Sequence, residues 1–482
     1  MAESRSSVQT RTWAFVIDFS DNIRGAGGAS MKISFLGGTG TVTGSKYLFD
    51  DGEKNALIDC GLFQGFKQLR LRNWQPLPFK PRAIEAVVLT HAHIDHSGYL
   101  PLLVKSGFQG PIYCSNATFE LCGLLLPDSG YLQEEEARFA NKRGFSKHKP
   151  ALPLYTAEDA ERALESFRPV DYDTTIKLSA SSAARLLPAG HILGASMVMI
   201  EAAKKRILFS GDLGRPNDPI MRPPAKVESA DVLILESTYG DRRHGSADPE
   251  QELALHLGNA LGRGGVVVVP AFAVGRAQTL LHFVARLKSR NAIPDVPVYL
   301  NSPMAVDATR IYHTYRSEHR LSEEECRAAC TIAQFVNDPE ESKELNKKHG
   351  PMIIISASGM ATGGRVIHHL KAFAPDPKNM ILFVGFQAGG TRGAAMVGGA
   401  DTIRIHGEDV SVRAEVVSIG GLSAHADYNE ILDWLRGFRQ APRNVCLTHG
   451  EPAAADQLRQ HIEHTLGWEA RVPDYLEKMV LE

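Results

Sequence analysis

Residues 87–100, VVLTHAHIDHSGYL, place His91, His93, Asp95 and His96 within one short loop directly after an apolar run. Three imidazoles and a carboxylate gathered this closely repel one another when the histidines protonate and gain little from packing, whereas a divalent cation offsets both problems. Val87, Val88 and Leu89 read as a buried strand, and the loop beyond a strand of an α/β sheet is where ligands bind. His91 and His93 alternate and can point to one side, while Asp95 and His96 fall where a helix through Tyr99 and Leu103 begins. Two pairs on one loop suggest two ions. The plainer alternative is a polar loop with solvated histidines, but H-x-H-x-D-H is far more specific than a lone histidine.

More donors follow, each at the end of an apolar strand. LIDCG carries Asp59, LLPAGHILGAS carries His191 in a glycine-bounded turn, and RILFSGDLGR carries Asp212. Taken singly, Asp59 and Asp212 read as turn carboxylates that cap nearby amides. Together with the first loop they fit one sheet edge. Asp212 can then bridge two cations, His191 can complete the histidine set on the first, and Asp59 can orient a ligand through its second ring nitrogen. The second ion still lacks a ligand.

Asp59, the HAHIDH loop, His191 and Asp212, in that order, resemble the metallo-β-lactamase fold. Downstream, LILESTYGDRRH carries Glu236, GGLSAHADYNE carries His425 and VCLTHGE carries His449, and these resemble the three additional motifs of the β-CASP nucleases. The resemblance covers essentially all of residues 31–482. It implies an α/β chain: a metallo-β-lactamase αββα sandwich, with the metal between two sheets, and an inserted parallel α/β β-CASP domain. By analogy His449 is the missing ligand. Two Zn²⁺ would then bind, one on His91, His93 and His191, the other on Asp95, His96 and His449, bridged by Asp212 and backed by Asp59. The expected chemistry is two-metal phosphodiester hydrolysis, in which the ions lower the pKa of a water to about 7 and neutralise the phosphoryl oxygens. His425, oriented by Glu236, would donate a proton to the leaving oxygen or a phosphoryl oxygen, with Asp95 counted in the same catalytic set. The family's products are a 5′-phosphate and a 3′-hydroxyl.

The elements that must position these groups follow from the pattern. Residues 1–30 end in a Gly/Ala/Ser run and read as a flexible extension; the fold starts near Met31. Short strands alternate with glycine turns over 31–239, the first part of the metal-binding domain. Residues 240–410 repeat strand then helix, a separate parallel α/β body, and 411–482 return to the first domain. A body inserted between two parts of one metal site lies over or beside it and leaves a groove, which suits a polymer. Within the insert, SASGMATGG follows a strand and opens a helix, so Ser356, Ser358 and Gly359 can hold a phosphate at a helix N-terminus. Arg276 in AFAVGRAQ is a second candidate clamp. The plainer alternatives are a Gly/Ser turn and a surface arginine. His368 and His369 read as polar-face residues of the next helix.

At 482 residues the chain suggests two to three domains. A net charge of −2 excludes a globally basic nucleic-acid coat but not a locally basic groove. Six scattered cysteines without a C-x-x-C pair fit a reducing, cytoplasmic setting. No apolar run approaches the roughly 20 residues that span a bilayer, so no membrane partner is expected; a homodimer is compatible with the sequence. The expected function is a zinc-dependent ribonuclease acting on single-stranded RNA in processing or decay. Its rivals are a DNA exonuclease or repair nuclease of the same superfamily, since two metals do not read a 2′-hydroxyl, and a catalytically silent RNA-binding subunit.

Overall fold

The computed structural model describes residues 30–481 apart from Phe145, Ser246, Ala247 and Phe386. The expected extension over residues 1–30 therefore lies, but for Ser30, outside the described residues. The first strand, Met31–Phe35, pairs antiparallel with Tyr47–Asp50 on one side and with the last strand, Lys478–Leu481, on the other. This seven-stranded sheet continues through Asn55–Ile58, Ile84–Val88, Ile112–Ser115 and Phe167–Val170. A second seven-stranded sheet contains Asn444–Thr448, Val232–Glu236, Lys205–Phe209, Ser196–Ala202 and Ser182–Pro188 in that spatial order, with short strands at its edges.

Successive strand side chains point to opposite faces, and in both sheets both faces are covered. Ile33, Phe35, Ile58 and Val88 meet Ile200, Phe209 and Ile234 in the space between the sheets. Val87 and Leu89, one residue to either side of Val88, pack instead with Leu100, Leu103 and Leu121 of the outer helices. That two-sided burial is why these strands read as unbroken apolar runs rather than alternating ones. Each fully buried Leu, Ile or Phe contributes about 1.5–3 kcal/mol, enough to fix the frame on which the polar loops stand.

The insert is a six-stranded sheet, Gln334–Phe335, Val298–Leu300, Met352–Ser356, Val266–Pro270, Met380–Val384 and Glu415–Ile419 in spatial order, and every pair in it is parallel. Separate apolar clusters cover its two faces. It is entered through helix Pro249–Gly262, which Asp248 caps by accepting from the Glu250 amide at 2.9 Å, with proline at the first helical position. The boundary expected at residue 410 falls inside this body, because Glu415–Ile419 pairs with Met380–Val384. That strand is a half-exposed edge, so it lacks the apolar run that marked its neighbours.

Candidate metal centre

Asp59, His91, His191, Asp212, Glu236 and His449 each stand at or just beyond the end of a strand. Parallel pairing of Asn55–Ile58 with Ile84–Val88, and of Val232–Glu236 with both Lys205–Phe209 and Asn444–Thr448, brings these ends to one edge. Asp59 and His449 adopt φ of 58° and 50°. A non-glycine residue in the left-handed region costs roughly 1–3 kcal/mol and persists where surroundings over-determine it, as they do at functional sites.

The polar atoms converge in two groups. His93 Nδ1 lies 3.1 Å from His91 Nε2 and 3.3 Å from His191 Nε2. Asp212 Oδ2 faces this group, 3.4 Å from His91 Nε2 and 3.5 Å from His191 Nε2. The other oxygen, Oδ1, is 3.2 Å from His96 Nε2 and 3.5 Å from His449 Nε2, and the latter is 3.8 Å from Asp95 Oδ2. One carboxylate thus gives one oxygen to each group. His96 Nε2 and Asp212 Oδ1 are buried and, although 3.2 Å apart, make no well-aligned hydrogen bond to each other or to any other group. Buried polar atoms are normally paired, so orphaned donors converging from several strand ends fit a cation, and the N/O donor set suits zinc.

Outer contacts set the orientation of each ring. Asp59 accepts the Thr90 amide at 2.7 Å through Oδ1 and the Thr90 hydroxyl at 2.9 Å through Oδ2, which also lies 2.7 Å from His96 Nδ1. The Thr90 hydroxyl is 3.1 Å from His91 Nδ1, and the Ser45 hydroxyl is 2.8 Å from His449 Nδ1. A partner on Nδ1 leaves Nε2 as the atom that faces the centre. Sequence reasoning singled out Asp59 but missed Ser45 and Thr90. Phe272, whose ring lies 6.0 Å from that of His93, was missed as well.

The electrostatics agree with this arrangement. Burial, reinforced by neighbouring imidazoles, holds His91 and His191 well below an ordinary histidine, His93 at about 3 and His449 at about 4. These rings are neutral at neutral pH and present bare lone pairs. Burial also opposes charge on His96, but the Asp212 and Asp59 carboxylates outweigh it and hold its pKa well above the usual value. A cation in the same place would answer the same two carboxylates. Burial pushes Asp95 upward, whereas for Asp212 it is overcome by His449, His96 and His91, which keep that carboxyl well below its ordinary range.

His425 comes from the segment after the last strand of the insert and forms an isolated antiparallel bridge with Gly214. Its Nδ1 lies 3.1 Å from Glu236 Oε1, and the Glu236 carboxylate is itself held by the Leu213 amide at 2.8 Å and the Thr238 amide at 3.2 Å. The His425 ring is 4.5 Å from that of His191 and stacks at 6.1 Å on His449. Burial disfavours its charge, but Glu236 chiefly, with Asp212, outweighs that and raises its pKa.

The candidate substrate contacts fare differently. Arg276 is no surface residue: it opens helix Arg276–Ser289, is buried, donates to the Leu422 carbonyl and lies 3.9 Å from Asp218. Its charge reaches His93 and His191. Ser356 ends its strand fully buried, donating to the Asn301 carbonyl at 3.0 Å. The helix that SASGMATGG was expected to open begins only at Val366, preceded by Arg365. Ser358 instead accepts the Thr362 amide at 3.1 Å in a turn of its own. Gly359 lies close to the centre: a side chain there would run into Phe272, the ring beside His93, with 2.6 Å between its Cβ and Phe272 Cδ2. His368 is exposed as expected, but His369 is buried and bonds to Asn301 at 2.6 Å and Asn346 at 2.7 Å.

Two sheets in a layered sandwich, donors at one edge and a parallel insert over them define a metal-dependent hydrolase of the metallo-β-lactamase class. Residues 39–260 match the metallo-beta-lactamase superfamily, 277–396 the Beta-Casp domain, and 409–473 the Zn-dependent metallo-hydrolase RNA specificity domain. The chain is 37% identical to "Ribonuclease TTHA0252" of Thermus thermophilus, covering 87% of this chain and 93% of that one. It is 30% identical to "Transcription termination factor FttA" of Methanocaldococcus jannaschii, over 89% and 69% of the two chains, and 31% identical to the Methanosarcina mazei protein of that name, over 94% and 72%. A crystal structure of a protein of unknown function from Enterococcus faecalis V583 shares the fold, with a TM-score of 0.51 and 13% identity over 94% of this chain and 100% of that one. This chain belongs to the β-CASP family of metallo-β-lactamase-fold hydrolases.

Proposed function

We propose that the protein is a zinc-dependent ribonuclease that hydrolyses phosphodiester bonds of single-stranded RNA in RNA processing or decay. The observation that carries the proposal is the division of Asp212, one oxygen toward His91 and His191 and the other toward His96 and His449. Such a division would let one carboxylate be shared by two cations. His91, His93 and His191 would hold one Zn²⁺, Asp95, His96 and His449 a second, with Asp212 between them. When bound, the ions supply Lewis-acid activation of water and charge neutralisation at the phosphoryl oxygens.

The chain's own residues do the rest. Asp59, Thr90 and Ser45 hold His96, His91 and His449 at Nδ1, so that each ring turns Nε2 toward the centre, where a cation would take the place of the His96 proton. With Nδ1 engaged by Glu236, His425 offers Nε2, and its raised pKa keeps a proton there for the leaving 3′-oxygen. Arg276, Ser358 and the Gly359 backbone are the contacts we propose on the substrate side. Ser356 belongs to that group by position, with its hydroxyl already committed to Asn301. All six cysteines are free, and no helix among the described residues is long and apolar enough to cross a membrane; a cytoplasmic location completes the proposal.

The rival of a silent RNA-binding subunit predicts lost donors, and none is lost here. The test uses matched labelled RNA and DNA strands with 5′-phosphate or 5′-hydroxyl ends, before and after chelation and Zn²⁺ repletion. RNA cut to 5′-phosphate products, lost on chelation and restored by Zn²⁺, is expected. Cleavage of DNA alone would establish the repair-nuclease alternative, and no cleavage of either strand would favour the silent one.

A further inference from the structure

His244, Asp427 and Glu430 bring three donor atoms within 4.8 Å of one another just behind His425, and at first sight form a third cation site. Their lone pairs are committed elsewhere. Asp427 Oδ1 caps a helix by accepting the Asn429 and Glu430 amides, both at 2.9 Å, and Oδ2 accepts the His244 amide at 2.8 Å. Glu430 accepts the Asp427 amide at 3.0 Å and the Arg215 guanidinium at 3.2 Å. What remains is the His244 ring, nearly inaccessible at 3% side-chain exposure, with Nε2 at 2.9 Å from the main-chain carbonyl of His425.

A carbonyl can only accept, so this contact requires Nε2 to carry the proton. Nδ1 is then the bare nitrogen, and it is buried without a partner. Leaving a polar atom unpaired offsets most of what one hydrogen bond returns, so the arrangement contributes little net stability and calls for another explanation. The neighbours supply one. The stretch that begins at Glu236 wraps His425 from several sides. Glu236 holds the ring at Nδ1, Tyr239 stacks near it with centroids 6.2 Å apart, and His244 packs on Tyr239 at 5.0 Å. Tyr239 also bridges to Asp427, two residues beyond His425.

We propose that His244 is a positioning residue for the reaction: its Nε2–H fixes the peptide carbonyl of His425 while Glu236 fixes the ring, so that the far ring nitrogen is held toward the leaving oxygen. This rests on His425 acting as the proton donor in the function proposed above. Without the carbonyl anchor the His425 backbone can rotate, and a displacement of about 1 Å at a catalytic group can cost on the order of 10²-fold in rate.

The test compares His244→Asn with His244→Gln on RNA and on a nitrophenyl phosphodiester, whose leaving group needs no proton. The glutamine amide nitrogen can take the place of Nε2, whereas the shorter asparagine cannot reach it. His244→Asn is expected to lower kcat on RNA by roughly 10–10²-fold, with KM and zinc content within about twofold of wild type and a much smaller loss on the nitrophenyl ester. His244→Gln is expected to recover most of the RNA activity. Equal losses on both substrates, or a glutamine variant no better than the asparagine one, would overturn the inference. Should the variants fold poorly, ¹⁵N spectra of the wild-type histidines decide: an Nε2–H tautomer at His244 is expected, and an Nδ1–H tautomer contradicts the hydrogen bond. A wild-type protein inactive on both substrates would remove the nuclease reading, and this inference with it, before any variant is compared.

Discussion

Replacing Asp59 by asparagine alters no residue proposed to touch metal, and the hydrogen bonds around it predict the consequence. Asp59 accepts the Thr90 amide at 2.7 Å through Oδ1, and its other oxygen lies 2.7 Å from His96 Nδ1. An asparagine must keep its carbonyl oxygen toward the Thr90 amide, which turns its amide nitrogen toward His96. A donor there favours the His96 tautomer with the proton on Nε2, the buried atom that faces Asp212 Oδ1 at 3.2 Å and that a metal needs bare. Loss of such an outer partner typically costs 10–100-fold in metal affinity, or about 1.4–2.7 kcal/mol. The effect should fall on the ion proposed for Asp95, His96 and His449, because the contacts of His91, His93 and His191 are not made by Asp59 Oδ2 except through Thr90. Zinc release against a graded chelator should therefore show two steps, with the weaker one moved to roughly 10–100-fold lower chelator and the stronger one nearly in place. A variant that keeps both ions at wild-type affinity, or that loses the three-histidine ion first, would refute the argument.

Asp212→Ala should release at least one ion and abolish turnover, and near-native nuclease activity in that variant would rule out a shared carboxylate. His425→Ala should leave zinc content unchanged while lowering kcat on RNA by roughly 10²–10⁴-fold, with a much smaller loss on a nitrophenyl ester; loss of metal would instead put His425 among the ligands. Glu236 raises the pKa of His425, so the protonated acid persists above the usual histidine range and activity should fall as pH rises through that raised value. Glu236→Gln removes the largest raising influence, and the alkaline limb of kcat against pH should move to lower pH; an unmoved limb would mean that another group titrates. Gly61→Ala sets a Cβ 1.6 Å from the Asp95 carbonyl oxygen, a backbone clash that must part the two loops. It should cost at least about 1–3 kcal/mol in denaturant unfolding and weaken the Asp95 and His96 site, and a neutral outcome would mean that the loops are not held as described.

How much of this was legible depended on how local each signal was. His91, His93, Asp95 and His96 stood out because rare ligand types crowd one loop, and Asp59, His191 and Asp212 because each follows an apolar strand. Glu236, His425 and His449 were legible only through their resemblance to known motifs; the long insert separates the first of them from the other two, and nothing local says that they meet. Ser45 and Thr90 left no trace, since any hydroxyl in a turn looks alike until a ring nitrogen is found 2.8 or 3.1 Å away. His369 did carry a signal that was passed over. It lies on the stripe formed by Val366, Leu370 and Phe373, all buried, and the partner that satisfies its ring there, Asn301, comes from a different strand end. The late start of that helix follows from the two glycines at 363 and 364, the second with φ of 73°, which keep the preceding turn separate.

Anomalous X-ray scattering at the zinc absorption edge, on crystals of protein purified without chelator, addresses the proposed centre most directly. Two peaks roughly 3.5–4 Å apart are predicted, one among His91, His93 and His191, the other among Asp95, His96 and His449, with Asp212 between them. A single peak away from Asp212, or no zinc signal among these residues, would contradict it.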